Sequence, residues 1–528
     1  MKQRKLISFL FVLMCLALLV VIKGPPIISD MSGLIWMGIF YLCIFLIGSF
    51  FAKKRGRTEH TEDVLLAGRS LPLGVAIFTM SATWIGGGYI NGTAEVTYSS
   101  GLVWAQAPWG YALSLVVGGL FFAKKMRNLN FKTMLDPIQQ RFGKKVTTLF
   151  FLPALMGEIF WTAAILSALG ATFGILLGLD FEWSIILSAL IAISYTALGG
   201  LWAVAMTDVV QLILLFVGLF LALPFVLEQA GGWTTAWHQY KEHFGPSASF
   251  IPSTEALGGD YFVWWDYTFL LVFGGVAWQV YFQRVLSSKT AQIAQRLSYM
   301  AGIICLIAAI PPVILGVVGF TADWSSMGVS PSESLEILPF TIKYLCPYWI
   351  SMICLGAIAA AVMSSADSSI LSSSTLATWN VYKPLFKPSI SNMDLARTMK
   401  RIIWVVGIAA TLIALQVKSI YALWYLCSDF VYCLLFPGLV CALFIQKCNT
   451  WGIVVGFSIA FIVRISGGEA SLGIPAIINY SVDVNDITYG LPFRTLAMLS
   501  FFITAWIVSI STKEKNPPIS LTAQSEKS

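Results

Sequence analysis

Apolar runs long enough to cross a bilayer recur along the chain, parted by short polar stretches rich in Lys and Arg. They read at 6–22, 33–52, 71–98, 102–123, 147–178, 182–199, 205–227, 262–285, 297–320, 350–376, 402–417, 420–445, 451–466 and 493–511. About 20 apolar helical residues span the hydrocarbon layer, so the pattern predicts an all-α polytopic membrane protein with about 14 transmembrane helices. Inside the third run the pattern fails at Thr83-Trp84-Ile85-Gly86-Gly87-Gly88-Tyr89-Ile90. Three successive glycines weaken a helix and predict that it opens there. Lipid cannot satisfy the backbone carbonyls that an opened helix exposes, so an ion, water or a substrate belongs at that depth. A discontinuous helix near the midplane is the sequence mark of a transport site. The eighth run carries a second weak point, Gly274-Gly275-Val276-Ala277-Trp278.

These two breaks open two blocks of about five spans each, 70–230 and 262–446, separated by an outside segment at 231–261. An odd number of spans per block gives the halves opposite topology, the inverted-repeat plan of secondary transporters. Glycines also serve as plain packing sites in membrane helices, and that is the competing explanation for each break. The remaining chain divides into an extra N-terminal helix or signal-anchor at 1–30, a peripheral helix and cytoplasmic loop at 31–69, peripheral C-terminal helices at 447–512 and a polar cytoplasmic tail at 513–528. The run 6–22 lacks an A-x-A cleavage pattern and reads as a retained helix.

Charge orients the molecule. With the N-terminus inside, all of the 33 Lys and Arg fall on inside segments except Lys23, Lys241, Lys343, Lys418, Arg464 and Arg494. The bias predicts a multi-pass protein of the cell (plasma) membrane with both termini cytoplasmic. Composition agrees, at 57% hydrophobic and only 11% charged residues. The net charge of +7 comes from basic residues beside membrane segments and gives no sign of nucleic-acid binding. His60, His238 and His243 all fall in loops, so no span offers a histidine base, and an enzyme is not expected. The nine cysteines contain no C-x-x-C and suggest no disulfide framework.

Chemistry at membrane depth is sparse. The segment Ala361-Val362-Met363-Ser364-Ser365-Ala366-Asp367-Ser368-Ser369 packs hydroxyl and carboxyl groups into an apolar span, where they must face a polar interior. The hydroxyls of Ser364 and Ser365, with carbonyls near Ala82 and Ile85, could form an oxygen cage for Na⁺; small serines that let helices pack closely are the plain alternative. Glu158, Asp208, Asp367 and Asp429 are the carboxylates at depth. Asp208 and Asp367 read as a second cation site or a proton relay, Asp208 alternatively as a helix cap. Among many aromatics, Trp84, Tyr111, Trp161, Trp278 and Trp424 stand out beside the breaks or beside glycine-rich turns. Brought together they would form a cage suited to a quaternary ammonium ion, held by cation–π attraction.

The same residues carry a resemblance. Thr79 to Glu95, Trp104-Ala105-Gln106-Ala107-Pro108, Ala154 to Glu158, Tyr281 to Ser288, Met363 to Ile370 and Leu423-Trp424-Tyr425-Leu426 closely resemble the choline branch of the sodium:solute symporter family. The resemblance runs from about residue 33 to about residue 512. It implies a LeuT-type inverted five-helix repeat and Na⁺-driven choline uptake by alternating access, with no cofactor and with chloride dependence. It further implies a choline cage of Trp84, Tyr111, Trp161, Trp278 and Trp424. A sodium site would use backbone carbonyls of Ala82, Ile85 and Ala361 with the hydroxyls of Ser364 and Ser365. A second sodium site would use Asp208, Asp367 and Ser368. An anion near two bound cations would reduce their repulsion. The chain departs from the animal pattern in residues 1–30, in a contracted Tyr98-Ser99-Ser100-Gly101 loop, in a shorter tail, and in Ala277 and Trp109, which replace a proline and an aliphatic residue. The alternatives are a sodium symporter for a related solute such as betaine, and a choline sensor that does not transport.

Overall fold

A computed structural model describes residues 66–196, 201–484 and 487–522. The expected spans 6–22 and 33–52, the N-terminal helix 1–30 and nearly all of 31–69 lie outside the described residues, as does the end of the tail. The main helices are α1 (Leu73–Trp84), α2 (Gly87–Ser100), α3 (Ala107–Val117), α4 (Lys144–Leu177), α5 (Phe181–Thr196), α6 (Leu201–Gln229), α7 (Trp233–Phe244), α8 (Tyr261–Gly274), α9 (Gln279–Ser287), α10 (Ala291–Ala308) and α11 (Ile310–Thr321). They continue as α12 (Ile337–Leu345), α13 (Tyr348–Leu376), α14 (Asn392–Gln416), α15 (Ile420–Phe430), α16 (Thr450–Ser466) and α17 (Phe493–Thr512). Among the described residues eight helices are long and apolar enough to cross a membrane, and nine if the bent pair α1–α2 is one span. The expected total of about 14 therefore holds only in this coarser form of eight to nine clear spans.

The fold is not purely helical. Between α16 and α17 an antiparallel hairpin pairs β1 (Ser481–Val484) with β2 (Ile487–Gly490), in the register Ser481↔Gly490 and Val484↔Ile487. The reason is local: Ser-Val-Asp-Val and Ile-Thr-Tyr-Gly are rich in the β-branched and aromatic residues that favour strands. The loop expected at 231–261 likewise carries structure, since α7 is an amphipathic helix with Trp233 stacked on Trp237 and Trp237 on Tyr240. The described part of the polar tail is also held. Arg141 donates to the Ile519 carbonyl at 2.8 Å, and Gln140 to that of Thr522 at 2.9 Å.

Both weak points are breaks. α1 and α2 meet at an angle of 46°, and α8 ends at Gly274 before α9 restarts after Trp278. The glycines at 86–88 lie at the expected opening and also fit the competing explanation, close packing. None of them has a positive φ. Their value is close approach. A Cβ on Gly86 would lie 2.7 Å from Cβ of Ser365, one on Gly87 would lie 2.7 Å from Val362, and one on Gly88 would lie 3.2 Å from the ring of Trp424. The missing side chains thus let α13 and α15 press against the broken segment, as small residues do in membrane bundles. Gly275 does the same at the second break, where a Cβ would stand 2.7 Å from Ser114 and 2.9 Å from Tyr111.

Candidate functional site

Four helices and one helix cap bring the five singled-out aromatic rings to one place. Trp84 ends α1, Tyr111 lies in α3, Trp161 in α4 and Trp424 in α15, while Trp278 caps α9. Together they line a single cavity with about 240 Å³ of atom-free space. None is more than 6% exposed. Trp161 and Trp278 lie 4.8 Å apart between ring centroids in an edge-to-face pair, and Trp84 stands 6.4 Å from each. On the other side Tyr111 stacks on Trp424 at 4.9 Å, while Tyr89 sits edge-on to Trp424 at 5.5 Å. The Tyr111 hydroxyl is hydrogen-bonded to Ser428, which fixes its ring. The five lining residues are all aromatic, with no carboxylate among them. This is the arrangement that binds quaternary ammonium groups.

The oxygen-bearing residues lie on the neighbouring face of the broken helix. Ser365 donates its hydroxyl to the carbonyls of Ala82 at 3.1 Å and Thr83 at 3.0 Å, so α13 is tied to α1 just before the break. Ala361 is buried one turn earlier on α13, and Ile85, also buried, caps α1 with a non-helical backbone. Ser364, expected beside Ser365, turns instead to Asp208 and donates to it at 2.8 Å. Of the three residues expected to form a second cation site, Asp208 and Ser368 both meet Nη2 of Arg284, and Asp367 does not. Asp208 accepts from Thr79 as well as Ser364. Ser368 contacts Thr83 Oγ1 at 3.2 Å. Asp367 accepts from Thr196 at 2.6 Å, and its other oxygen has no partner among the described residues. All three are fully buried.

Two groups, Arg284 and Glu95, escaped the sequence reading, and a third, Asp429, was named there without its partners. Arg284 was counted with the basic residues that flank spans, yet it is wholly buried beside Asp208, with Nη2 to Oδ2 at 3.7 Å. Its position within the Tyr281 to Ser288 block, six residues after Trp278, was the available signal. Glu95 caps α15: it accepts from the Ser419 hydroxyl at 2.6 Å and from the backbone N–H groups of Ile420 at 3.1 Å and Tyr421 at 3.2 Å. Asp429, one of the carboxylates expected at depth, is a buried, hydrogen-bonded group. It receives Arg464 through two contacts of 2.6 Å and Arg494 at 2.8 Å. The last two arginines, which the charge bias left aside, tie α15 to α16 and α17.

Comparison with known proteins follows the same lines. The model of the sodium:solute symporter family matches residues 64–460. The chain is 47% identical over 495 residues to high-affinity choline transporter 1 of Drosophila melanogaster, covering 92% of this chain and 79% of that protein. It is 46% identical over 502 residues to the human high affinity choline transporter 1, covering 91% and 85%. Its structure is similar to that of a Na⁺-coupled sialic acid symporter solved substrate-bound and outward-open, with a TM-score of 0.77 over 93% of this chain and 99% of that one. At 20% identity that likeness speaks for the fold alone, which is of the LeuT type of sodium symporters.

Proposed function

Because this chain belongs to the sodium:solute symporter family, we propose that it takes up choline together with Na⁺, by alternating access to an aromatic cage near the middle of the bilayer. It is an integral membrane protein and not an enzyme. One observation carries the substrate assignment: Trp84, Tyr111, Trp161, Trp278 and Trp424, all aromatic, line one small cavity. A quaternary ammonium has no N–H to donate and cannot shed its charge, so the quadrupoles of several rings are the means left to hold it, each desolvated contact contributing ~2 kcal/mol or more.

In this reading the first Na⁺ is held by carbonyls of Ala82, Ile85 and Ala361 with the hydroxyls of Ser364 and Ser365. The tie between Ser365 and the Ala82 carbonyl supports it. A second Na⁺ is assigned to Asp208, Asp367 and Ser368, supported by their burial and by the unpartnered oxygen of Asp367. Chloride dependence belongs to the same proposal, since an anion offsets the repulsion between choline and Na⁺ in a medium of low dielectric. The blocks 70–230 and 262–446 act as inverted repeats that rock about the cage, and the Lys and Arg bias puts both termini in the cytoplasm.

Uptake of labelled choline into proteoliposomes tests the assignment. An imposed inward Na⁺ gradient should drive accumulation, inside-negative potential should increase it, and betaine and proline should compete poorly. Each Na⁺ carried inwards gains ~2.3 kcal/mol per 100 mV. Equal accumulation with K⁺ in place of Na⁺ would refute the coupling, and preferential competition by betaine would refute the substrate.

A further inference from the structure

The two most deeply buried arginines of the described residues are held in opposite ways. Arg464 grips Asp429 through Nε and Nη2, both at 2.6 Å, and adds the Gly468 carbonyl at 2.8 Å and Glu469 at 2.7 Å. That is a fixed, bidentate ion pair with its donors satisfied. Arg284 is as deeply buried, yet it meets Asp208 through one nitrogen at 3.7 Å. The same nitrogen donates to Ser368 Oγ at 2.5 Å, Nη1 reaches Gln283 at 3.2 Å, and Nε has no partner among the described residues. A guanidinium taken out of water is costly unless its donors are met. This one is held loosely.

Its surroundings are those of a cation site. Asp208 collects the hydroxyls of Thr79 and Ser364, while Ser368 touches Thr83. The carboxyl of Asp367 lies within electrostatic reach of Asp208, and that of Glu158 within reach of Arg284. The carboxyl groups of Asp208 and Glu158 thus both act on the guanidinium, with Asp367 next to Asp208, among hydroxyl oxygens of the kind that hard cations take as ligands. Arg284 also stands on α9, six residues after the Trp278 that caps this helix and lines the cage. At ~1.5 Å per residue, one helical segment of ~9 Å links the choline-facing ring to the guanidinium.

We propose that Arg284 is a tethered competitor of Na⁺: its guanidinium holds the oxygens of Asp208 and Ser368 in one state of the cycle, and Na⁺ displaces it from them in another. The inference rests on the Na⁺ symport proposed above. It makes Arg284 a positioning residue for ion coupling, acting through Asp208 and α9 rather than touching choline. It also explains why the ion pair is loose: a bidentate grip like that of Arg464 would not yield to an ion.

The test uses the purified full-length protein, with melting temperature followed against NaCl while KCl keeps ionic strength constant. An ion that binds the folded state alone raises the melting temperature by mass action. Arg284→Gln removes the competitor and should lower the half-saturating Na⁺ about tenfold or more, the expected effect of losing a buried rival charge. Arg284→Lys keeps the charge but lacks the fork, so it should shift the value in the same direction by a smaller factor, and it carries the test if the glutamine variant does not fold. Half-saturating Na⁺ that is unchanged or raised in the folded variants overturns the role given to Arg284 while leaving Na⁺ binding intact. A wild-type protein whose melting temperature ignores Na⁺ overturns the symport reading itself, and this inference with it.

Discussion

Tyr111 stacks on Trp424 with ring centroids 4.9 Å apart and planes 23° from parallel. The pair joins the block that opens with the first break to a helix of the block that opens with the second, so one wall of the cage is shared by both. Replacing Trp84, Trp278 or Trp424 by Leu keeps apolar bulk and removes the ring quadrupole. Choline affinity should fall by roughly tenfold per ring, equivalent to ~1.4 kcal/mol. Half-saturating choline in uptake, with expression and melting temperature as controls, measures it. Wild-type affinity in all three variants would rule out the cage.

Ser364 and Ser365 are neighbours in sequence but face different partners, Asp208 and the Ala82 and Thr83 carbonyls. Ser365→Ala should raise half-saturating Na⁺ at fixed choline, with choline affinity recovering at high Na⁺ through linkage. Ser364→Ala should do the same, with the added loss of one donor to the buried Asp208, which costs about 1–3 kcal/mol of stability. Asp367→Asn keeps an oxygen but deletes a charge, so maximal uptake should fall even at saturating Na⁺. A sodium titration of uptake separates these outcomes. Unchanged half-saturating Na⁺ in both serine variants would move the ion elsewhere and leave the serines as packing residues.

Much of the cage could be read from residue type and context. Rings beside glycine breaks are visible in a single sequence, whereas their convergence depends on how helices hundreds of residues apart pack. The break at Gly86 to Gly88 was legible as a place and glycine packing as a role, but the partners were not: the glycines make room for Ser365, Val362 and Trp424, contacts that no local pattern encodes. Arg284 was hidden by a sound rule. A basic residue near the end of an apolar run ordinarily lies at the interface, and only tertiary structure shows that α9 carries this one into the interior. Asp429, Arg464 and Arg494 were each noticed, but their pairing spans 35 and 65 residues of chain and has no signature in spacing. The pairing of β1 with β2 lies in a polar segment where hydropathy carries no strand signal.

The Asp429–Arg464 pair should behave as a structural clamp. Arg464→Met leaves Asp429 with Arg494 alone in a buried site, and breaking a buried pair in this way typically costs about 3–5 kcal/mol. The melting temperature should drop sharply, while half-saturating Na⁺ of the folded fraction stays near wild type, unlike the Arg284 variants. An unaltered melting temperature would mean that water reaches the pair and that α16 and α17 are not fastened through it.

Glu95 links the broken helix to the cage by another route. Its carboxylate accepts from Ser419 and from the N–H groups of Ile420 and Tyr421, the first residues of α15. A negative charge at a helix N-terminus is favourable, by up to about 2 kcal/mol when partly buried. Trp424 lies one turn further along, and the backbone of Gly88 on α2 comes against its ring. Glu95 therefore sets where α15 begins, and with it where the Trp424 ring stands. Glu95→Gln preserves size but removes the charge: its amide oxygen can still accept from the two N–H groups and its N–H₂ can donate to the Ser419 hydroxyl, so what is lost is the negative charge at the helix start. Choline affinity should fall several-fold, in step with a loss of ~1 kcal/mol of cap energy, while maximal uptake per folded molecule is retained. Glu95→Asp keeps the charge on a shorter arm and should fall between the two. Uptake titrations on the three proteins decide the matter, because a glutamine variant with wild-type choline affinity would show that the cap holds α15 in place without positioning Trp424.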